Sequence, residues 1–243
     1  SSEDMVGRAR LRYAADTPQS VISRTLRALQ IQLDWSSFGG QSDDGAAGGG
    51  LAVGFTSSVA GEGKTTTAAN FATLLARQGA RVALVDFDLV RGGLSREMAQ
   101  VLPGNNKLND LILYKDPEAL EPLAEFDGLT VIANDGTEEL DLADIEDAAE
   151  TDDLVAMLKA EFDYVVIDLP PMQGLAESQV LARLCDKLVL LVHWGETRRD
   201  ELTVTVDALS DIRGRVAGAL FTRADLDLYL TYNSQTERGV YYA

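Results

Sequence analysis

Apolar residues recur along the chain in two rhythms. Between residues 18 and 34 they fall at Val21, Ile22, Leu26, Leu29 and Leu33, the spacing of one face of a helix. From residue 51 onward, short apolar runs alternate with helix-periodic stretches. LAVGFT, RVALVDFD, LTVIAN, DYVVIDLPP, KLVLLVHW and RVAGALFT predict six strands. TTTAANFATLLARQG, DDLVAMLKAEF, LAESQVLARLC and RRDELTVTVDALSDI predict the helices between and after them. Gly79 ends the first of these helices, and the pair Pro170–Pro171 stops the DYVVIDL strand. Strands apolar at almost every position are buried on both faces, and strands alternating with helices need crossover connections. The expected fold is therefore α/β, a mostly parallel sheet flanked by helices.

The glycine distribution divides the chain. Residues 37–50 hold six glycines and no large aliphatic side chain, the composition of a flexible loop. The expected organisation is an N-terminal helical segment at 1–36, this loop, a core at 51–223 and a tail at 224–243. The acidic stretch 138–153 reads as a solvated helix or loop, and the arginines at 8, 10, 12, 24 and 27 as a solvated basic face.

Charge and rare residues narrow the chemistry. A net charge of −18 excludes nucleic acid as a main partner, because phosphate neutralisation needs a basic face. Cys185 is the single cysteine and His193 the single histidine, so neither an internal disulfide nor a zinc cluster is available. His193 reads as packed or solvent-facing rather than catalytic, Cys185 as inert, and Arg198 and Arg199 as surface residues. No apolar run is long enough to span a bilayer, and no signal peptide is visible. The opening SSEDMV lacks an initiator methionine, and the expectation is a piece of a longer polypeptide.

The candidate chemistry lies between the first core strand and its helix. GEGKTTT follows LAVGFTSS, with small residues throughout the loop. Glycines let backbone N–H groups approach phosphate oxygens, and the helix starting near Lys64 aims its positive end at the same anion. The segment resembles a P-loop with Ser58 in place of the usual first glycine. The expected nucleotide-binding residues are Ser58, Gly61, Glu62, Gly63, Lys64, Thr65 and Thr66. Lys64 would neutralise the β- and γ-phosphates of ATP, and the Thr65 hydroxyl would ligate Mg²⁺. Asp86 and Asp88 end one strand and Asp168 ends another, where ligands of open α/β sheets sit. Carboxylates there are hard oxygen ligands suited to Mg²⁺, directly or through water.

Residues 51–223 resemble the P-loop ATPases with deviant motifs. That family includes septum-positioning and plasmid-partition ATPases and the bacterial tyrosine kinases of polysaccharide export. VDFDL resembles the second aspartate motif of the kinases, VVIDLPP their Walker B strand, and GETRRDEL the stretch after the next core strand. The partition ATPases usually have a second lysine where Val59 stands, so the kinases fit better. Four of the seven tyrosines, Tyr229, Tyr232, Tyr241 and Tyr242, fall in the last fifteen residues, and the kinases end in such a cluster. Fully extended, those residues reach roughly 50 Å, far enough to enter another subunit.

The resemblance implies a P-loop NTPase fold and an ATP-dependent tyrosine kinase that phosphorylates its own tail in trans within a homo-oligomer. Asp86 would accept the tyrosine proton beside Lys64 and Asp88 in the catalytic set. Thr65, Asp88 and Asp168 would hold Mg²⁺ or its water shell. A membrane co-polymerase or activator segment, fused or separate, is the implied partner, and the cytoplasmic face of the bacterial inner membrane the implied location. The sequence departs from the kinases at Val90, where an arginine is usual and Arg91 follows instead. It departs again at Arg24-x-x-Arg27-x-x-Gln30, where the kinases carry Glu-x-x-Arg-x-x-Arg as a subunit contact. Two alternatives remain open: a partition-type ATPase switch, which would hydrolyse ATP without forming phosphotyrosine, and a degenerate nucleotide-binding scaffold, which would bind without turnover.

Overall fold

Each apolar run becomes a strand of one sheet. The computed structural model describes residues 9–38, 49–89, 92–99, 102–134, 148–173 and 177–225. The strands are β1 (Leu51–Ser57), β2 (Val82–Asp86), β3 (Leu129–Ile132), β4 (Tyr164–Asp168), β5 (Lys187–His193) and β6 (Val216–Thr222). Their order is β3-β2-β4-β1-β5-β6, and every neighbouring pair is parallel. The described helices are α1 (Tyr13–Asp16), α2 (Val21–Phe38), α3 (Lys64–Arg77), α4 (Gly93–Met98), α5 (Leu108–Tyr114), α6 (Ala148–Glu161), α7 (Glu177–Ala182) and α8 (Arg199–Ala208). None of them is long and apolar enough to cross a membrane.

Strand alternation sorts the core into two layers. Val53 and Phe55 of β1, Val82 and Leu84 of β2, and Val189 and Leu191 of β5 join the layer that contains Leu26, Leu33, Phe71 and Leu75 of α2 and α3. Ala52, Ala83, Val85, Ile167 and Leu188 face the other layer, with Leu154 and Leu158 of α6 and Leu181 of α7. The inner strands, covered on both faces, have no polar side to show and are apolar at almost every position; the edge strand β6 is apolar too but is only partly covered, with Phe221 exposed.

Helix ends differ from the periodicity where the chain tightens. The third core helix, expected to reach Cys185, closes as α7 at Ala182, where Arg183 and Leu184 donate to Val180 and Leu181 at i−3 spacing. The fourth closes as α8 at Ala208 and continues as a 3₁₀ segment, Ser210–Arg215. Helices α4 and α5 were not expected, being two turns or less.

The N-terminal helical segment shares the first core layer: Leu11, Ala14, Leu26, Leu29 and Leu33 pack with α3. Its attachment is polar as well. The buried Asn70 side chain accepts from Ala14 N at 2.7 Å and donates to the carbonyls of Arg10 and Thr66, both at 2.7 Å. Most of the glycine-rich loop, residues 39–48, lies outside the described residues.

Candidate functional site

β1 stops at Ser57 and α3 starts at Lys64, so six residues turn the chain at the carboxyl edge of the sheet. The turn needs left-handed backbone at Gly61 (φ 85°) and at Gly63 (φ 91°), the residue that precedes α3. A Cβ on Gly63 would also sit 3.3 Å from Cγ2 of Thr222. The loop is held by neighbours near and far along the chain. Ser57 Oγ donates to Val59 O at 2.6 Å, Gln173 N to Ser58 O at 3.1 Å, and Thr222 Oγ1 to Glu62 O at 2.8 Å.

The Ser58 and Glu62 side chains bond to protein groups. Ser58 is fully buried and its hydroxyl meets Thr205 Oγ1 at 2.9 Å. The Glu62 carboxylate is 2% exposed and accepts from Val59 N at 2.9 Å, from the Thr197 hydroxyl and from His193 N at 3.4 Å. A carboxylate used in this way fixes the loop to the end of β5 and keeps its charge off an incoming phosphate. Thr66 and Gly63 line a cavity of about 440 Å³ that opens beside the loop, walled also by Arg10, Ile22, Phe221 and Thr222.

Three aspartates converge behind Lys64. Asp86 and Asp168 are register partners on β2 and β4, both fully buried, and Asp88 is nearly so. Asp86 is surrounded by donors: Asp88 N reaches Oδ1 at 3.1 Å, while Ser95 N and Ser95 Oγ reach Oδ2 at 2.9 and 2.6 Å. Burial pushes its carboxyl above the usual range against the pull of those hydrogen bonds. Asp168 Oδ2 accepts from Thr65 Oγ1 at 2.6 Å. Its Oδ1 is buried with no partner. Burial, then the charge of Asp86, holds the Asp168 carboxyl well above its ordinary value, with Lys64 among the groups opposing the shift.

This donor set fits Mg²⁺ brought in by a nucleotide. No group of three or more His, Cys, Asp or Glu side chains among the described residues makes a cage for an ion. Mg²⁺ in phosphate sites takes only one or two carboxylates, completing its shell with phosphate oxygens and water. Asp168 Oδ1 is an acceptor without a donor, and Thr65 adds a hydroxyl 2.6 Å from the same carboxylate. A cation there would relieve a buried group that nothing among the described residues satisfies.

Ser95, Thr197, Thr222 and Asn70 escaped the sequence reading. Each acts through a partner distant along the chain, and no short motif announces it. Tyr229, Tyr232, Tyr241 and Tyr242, and the departures at Val90 and Arg91, lie outside the described residues.

A family model described as "AAA domain" matches residues 53–197. The chain is 26% identical over 219 residues to "Tyrosine-protein kinase YwqD" of Bacillus subtilis (strain 168), covering 90% of this chain and 88% of that protein. It is 26% identical over 218 residues to "Succinoglycan biosynthesis transport protein ExoP" of Rhizobium meliloti (strain 1021), covering 89% of this chain and 27% of that protein. Among solved structures, the chimerical protein CapA2B2 superposes with a TM-score of 0.73 at 21% identity, covering 88% of this chain and 90% of that one. The septum site-determining protein MinD from Pyrococcus horikoshii OT3, complexed with Mg-ADP, gives 0.56 at 23% identity, covering 70% and 68%. At these identities the superpositions speak for the fold.

Proposed function

The chain belongs to the AAA-domain family, and from that premise we propose that it is an ATP-dependent protein-tyrosine kinase whose own C-terminal tyrosines are its substrates. The observation that carries the nucleotide half is the pairing of Thr65 with a half-satisfied Asp168 beneath a left-handed glycine turn. The tyrosine half is supported by the relatives' names and by the clustered Tyr229, Tyr232, Tyr241 and Tyr242.

Backbone N–H groups from Gly61 to Thr66 cradle the phosphates, and Lys64 offsets charge on the transferred group. Thr65, Asp168 and Asp88 hold Mg²⁺, which supplies Lewis-acid stabilisation of the phosphate oxygens when bound. The tyrosine oxygen bonds to the γ-phosphorus as the bond from that phosphorus to the bridging oxygen of ADP breaks. The phenol proton passes to Asp86, because a hydroxyl with a pKa near 10 is a poor nucleophile at neutral pH. A carboxyl raised by burial is a stronger base than an exposed one. Asp86 is fully buried behind Ser95, so α4 has to draw back for a tyrosine to reach it.

The acceptor tail belongs to a neighbouring copy, and each phosphate adds about −1.5 to −2 charge to an already acidic protein. Repulsion then loosens the assembly. We place this cycle at the cytoplasmic face of the bacterial inner membrane, in the service of exopolysaccharide export, with a co-polymerase segment fused or separate.

The test is intact mass after incubation with ATP and Mg²⁺, beside Lys64→Met. Added phosphates on peptides holding the four tail tyrosines, absent in the variant, are expected. Phosphate release from an unmodified chain would replace the kinase with an ATPase switch. If the chain is neither modified nor releases phosphate, even with a membrane activator segment supplied, it is a nucleotide-binding scaffold.

A further inference from the structure

A second cavity, of about 270 Å³, is lined by Leu11 and Arg12 of the N-terminal segment and by residues of α3, β2 and α4. Its floor is Ala69 of α3 and Leu84 of β2, its sides are Met98 of α4 and Phe126, and its roof is Leu11 and Arg12. Cavities of roughly 150 Å³ with such walls stay dry and accept benzene-sized molecules.

The polar groups at this cavity are already matched. Arg12 pairs with Asp16 at 2.8 Å and with Glu125 at 2.7 Å, and its guanidinium lies 4.5 Å from the centre of the Phe126 ring. Thr73 donates to Asn70 O at 3.1 Å. A charged ligand would find no unmatched charge here, whereas a neutral aromatic one would find apolar walls and a cation already seated against a ring.

The walls also lead to the phosphate site. Met98 closes α4, and Ser95, one turn earlier, is the residue that grips Asp86. Ala69 precedes Asn70, whose side chain joins Arg10 and Ala14, on either side of Leu11 and Arg12 in the sequence, to the Thr66 carbonyl.

We propose that this cavity binds a compact, neutral aromatic molecule, and that its occupancy shifts α4 and the N-terminal segment and so changes nucleotide affinity. The second half rests on the nucleotide reading above; the first does not.

Indole is the probe, titrated into the full 243-residue chain with ¹³C-labelled methionine and leucine methyls. Saturable shifts at Met98, Leu84 and Leu123, which lines the cavity beside Phe126, are expected, together with a change of about fivefold or more in the ADP–Mg²⁺ dissociation constant. Ala69→Leu fills the floor and should abolish the methyl shifts; if that variant does not fold, Leu123→Phe fills the side. Absent or non-saturating shifts, or shifts that persist in a folded filled variant, overturn the site. Saturable indole binding with unchanged ADP affinity overturns the coupling alone. If ADP does not bind at all, the nucleotide reading and the coupling both fall, and the methyl shifts still decide the site.

Discussion

Thr65 Oγ1 donates to Asp168 Oδ2 across 2.6 Å, while Asp168 Oδ1 is buried with no partner. The hydroxyl and the orphan oxygen therefore belong to one bonded pair at the start of α3. Removing the hydroxyl should cost metal-dependent binding more than nucleotide binding itself. Thr65→Val is expected to weaken ADP–Mg²⁺ by roughly 10- to 100-fold, the loss of one charge-assisted contact, while ADP without metal changes little. Thr65→Ser should restore most of the loss. Calorimetric titration with and without Mg²⁺ checks this, and equal losses in both conditions would remove Thr65 from the cation site.

The two buried carboxyls give the nucleotide-free protein a characteristic pH response. Asp86 and Asp168 are both raised above the ordinary value of 3.8. The fold therefore holds a proton on each more tightly than the unfolded chain does. Their contribution is fully present below about pH 4, where the unfolded groups are also protonated. It is lost as pH rises through the folded values. Acidifying from neutral should raise the melting temperature of the apo protein relative to Asp168→Asn, in which that titration is gone. Thermal melts of both proteins from pH 8 to 5 decide it; parallel curves would mean that Asp168 does not titrate in the fold in that range.

Gly63 is required by conformation and by space. At φ 91° a side chain is strained by roughly 1–2 kcal/mol, and its Cβ would press on Thr222. Gly63→Ala should lower stability by about that amount and weaken ADP more than Gly61→Ala, whose Cβ would meet nothing within 4 Å. Denaturant melts paired with ADP titration compare them, and identical affinity losses would show that close approach at Gly63 is unimportant.

Ser95 stabilises the ionised form of Asp86 with its hydroxyl and its amide. Ser95→Ala removes the hydroxyl bond and also leaves Asn134 N without its acceptor. The Asp86 carboxyl should then titrate at higher pH, followed by ¹³C carboxyl NMR, and the fold should lose about 1–3 kcal/mol. A downward movement of Asp86 would contradict the bonding described.

Asn70→Ala should free the N-terminal segment. Ala14 N and Arg10 O lose a buried partner, at a cost of roughly 1–3 kcal/mol for each group left unsatisfied. Amide exchange at Ala14 is the direct readout: it should accelerate well beyond that of β1. Unchanged protection would mean that apolar packing alone holds the segment.

The strands and the turn from β1 into α3 are legible because their signals are local. Val53, Leu84 and Val166 sit in runs with no polar face, and Gly61-Glu62-Gly63-Lys64-Thr65 has its spacing in one turn. The helices α4 and α5 were not legible, since six or seven residues hold too few turns to show a period. Glu62 illustrates a different limit. Its place in the motif suggests a nucleotide contact, yet its carboxylate belongs to Val59 and Thr197, the latter 135 residues further along. Asn70 reads as one more polar residue on an alanine-rich helix until Arg10 and Ala14 arrive beside it. Sequence spacing reports neighbours along the chain, and these residues take their meaning from neighbours across it.

The strand order has a consequence for synthesis. β1 carries the phosphate loop, but it is hydrogen-bonded to β4 and β5: Leu51 pairs with Tyr164 and Val53 with Lys187. The loop's own tethers, Thr197 and Thr222, come later still. A nascent chain thus carries its phosphate motif from early on while lacking the strands that give it shape. Long-range pairing of this kind forms late. On the nucleotide-binding reading, the emerging chain is expected to lack a formed site until β6, which carries Thr222, has left the exit tunnel.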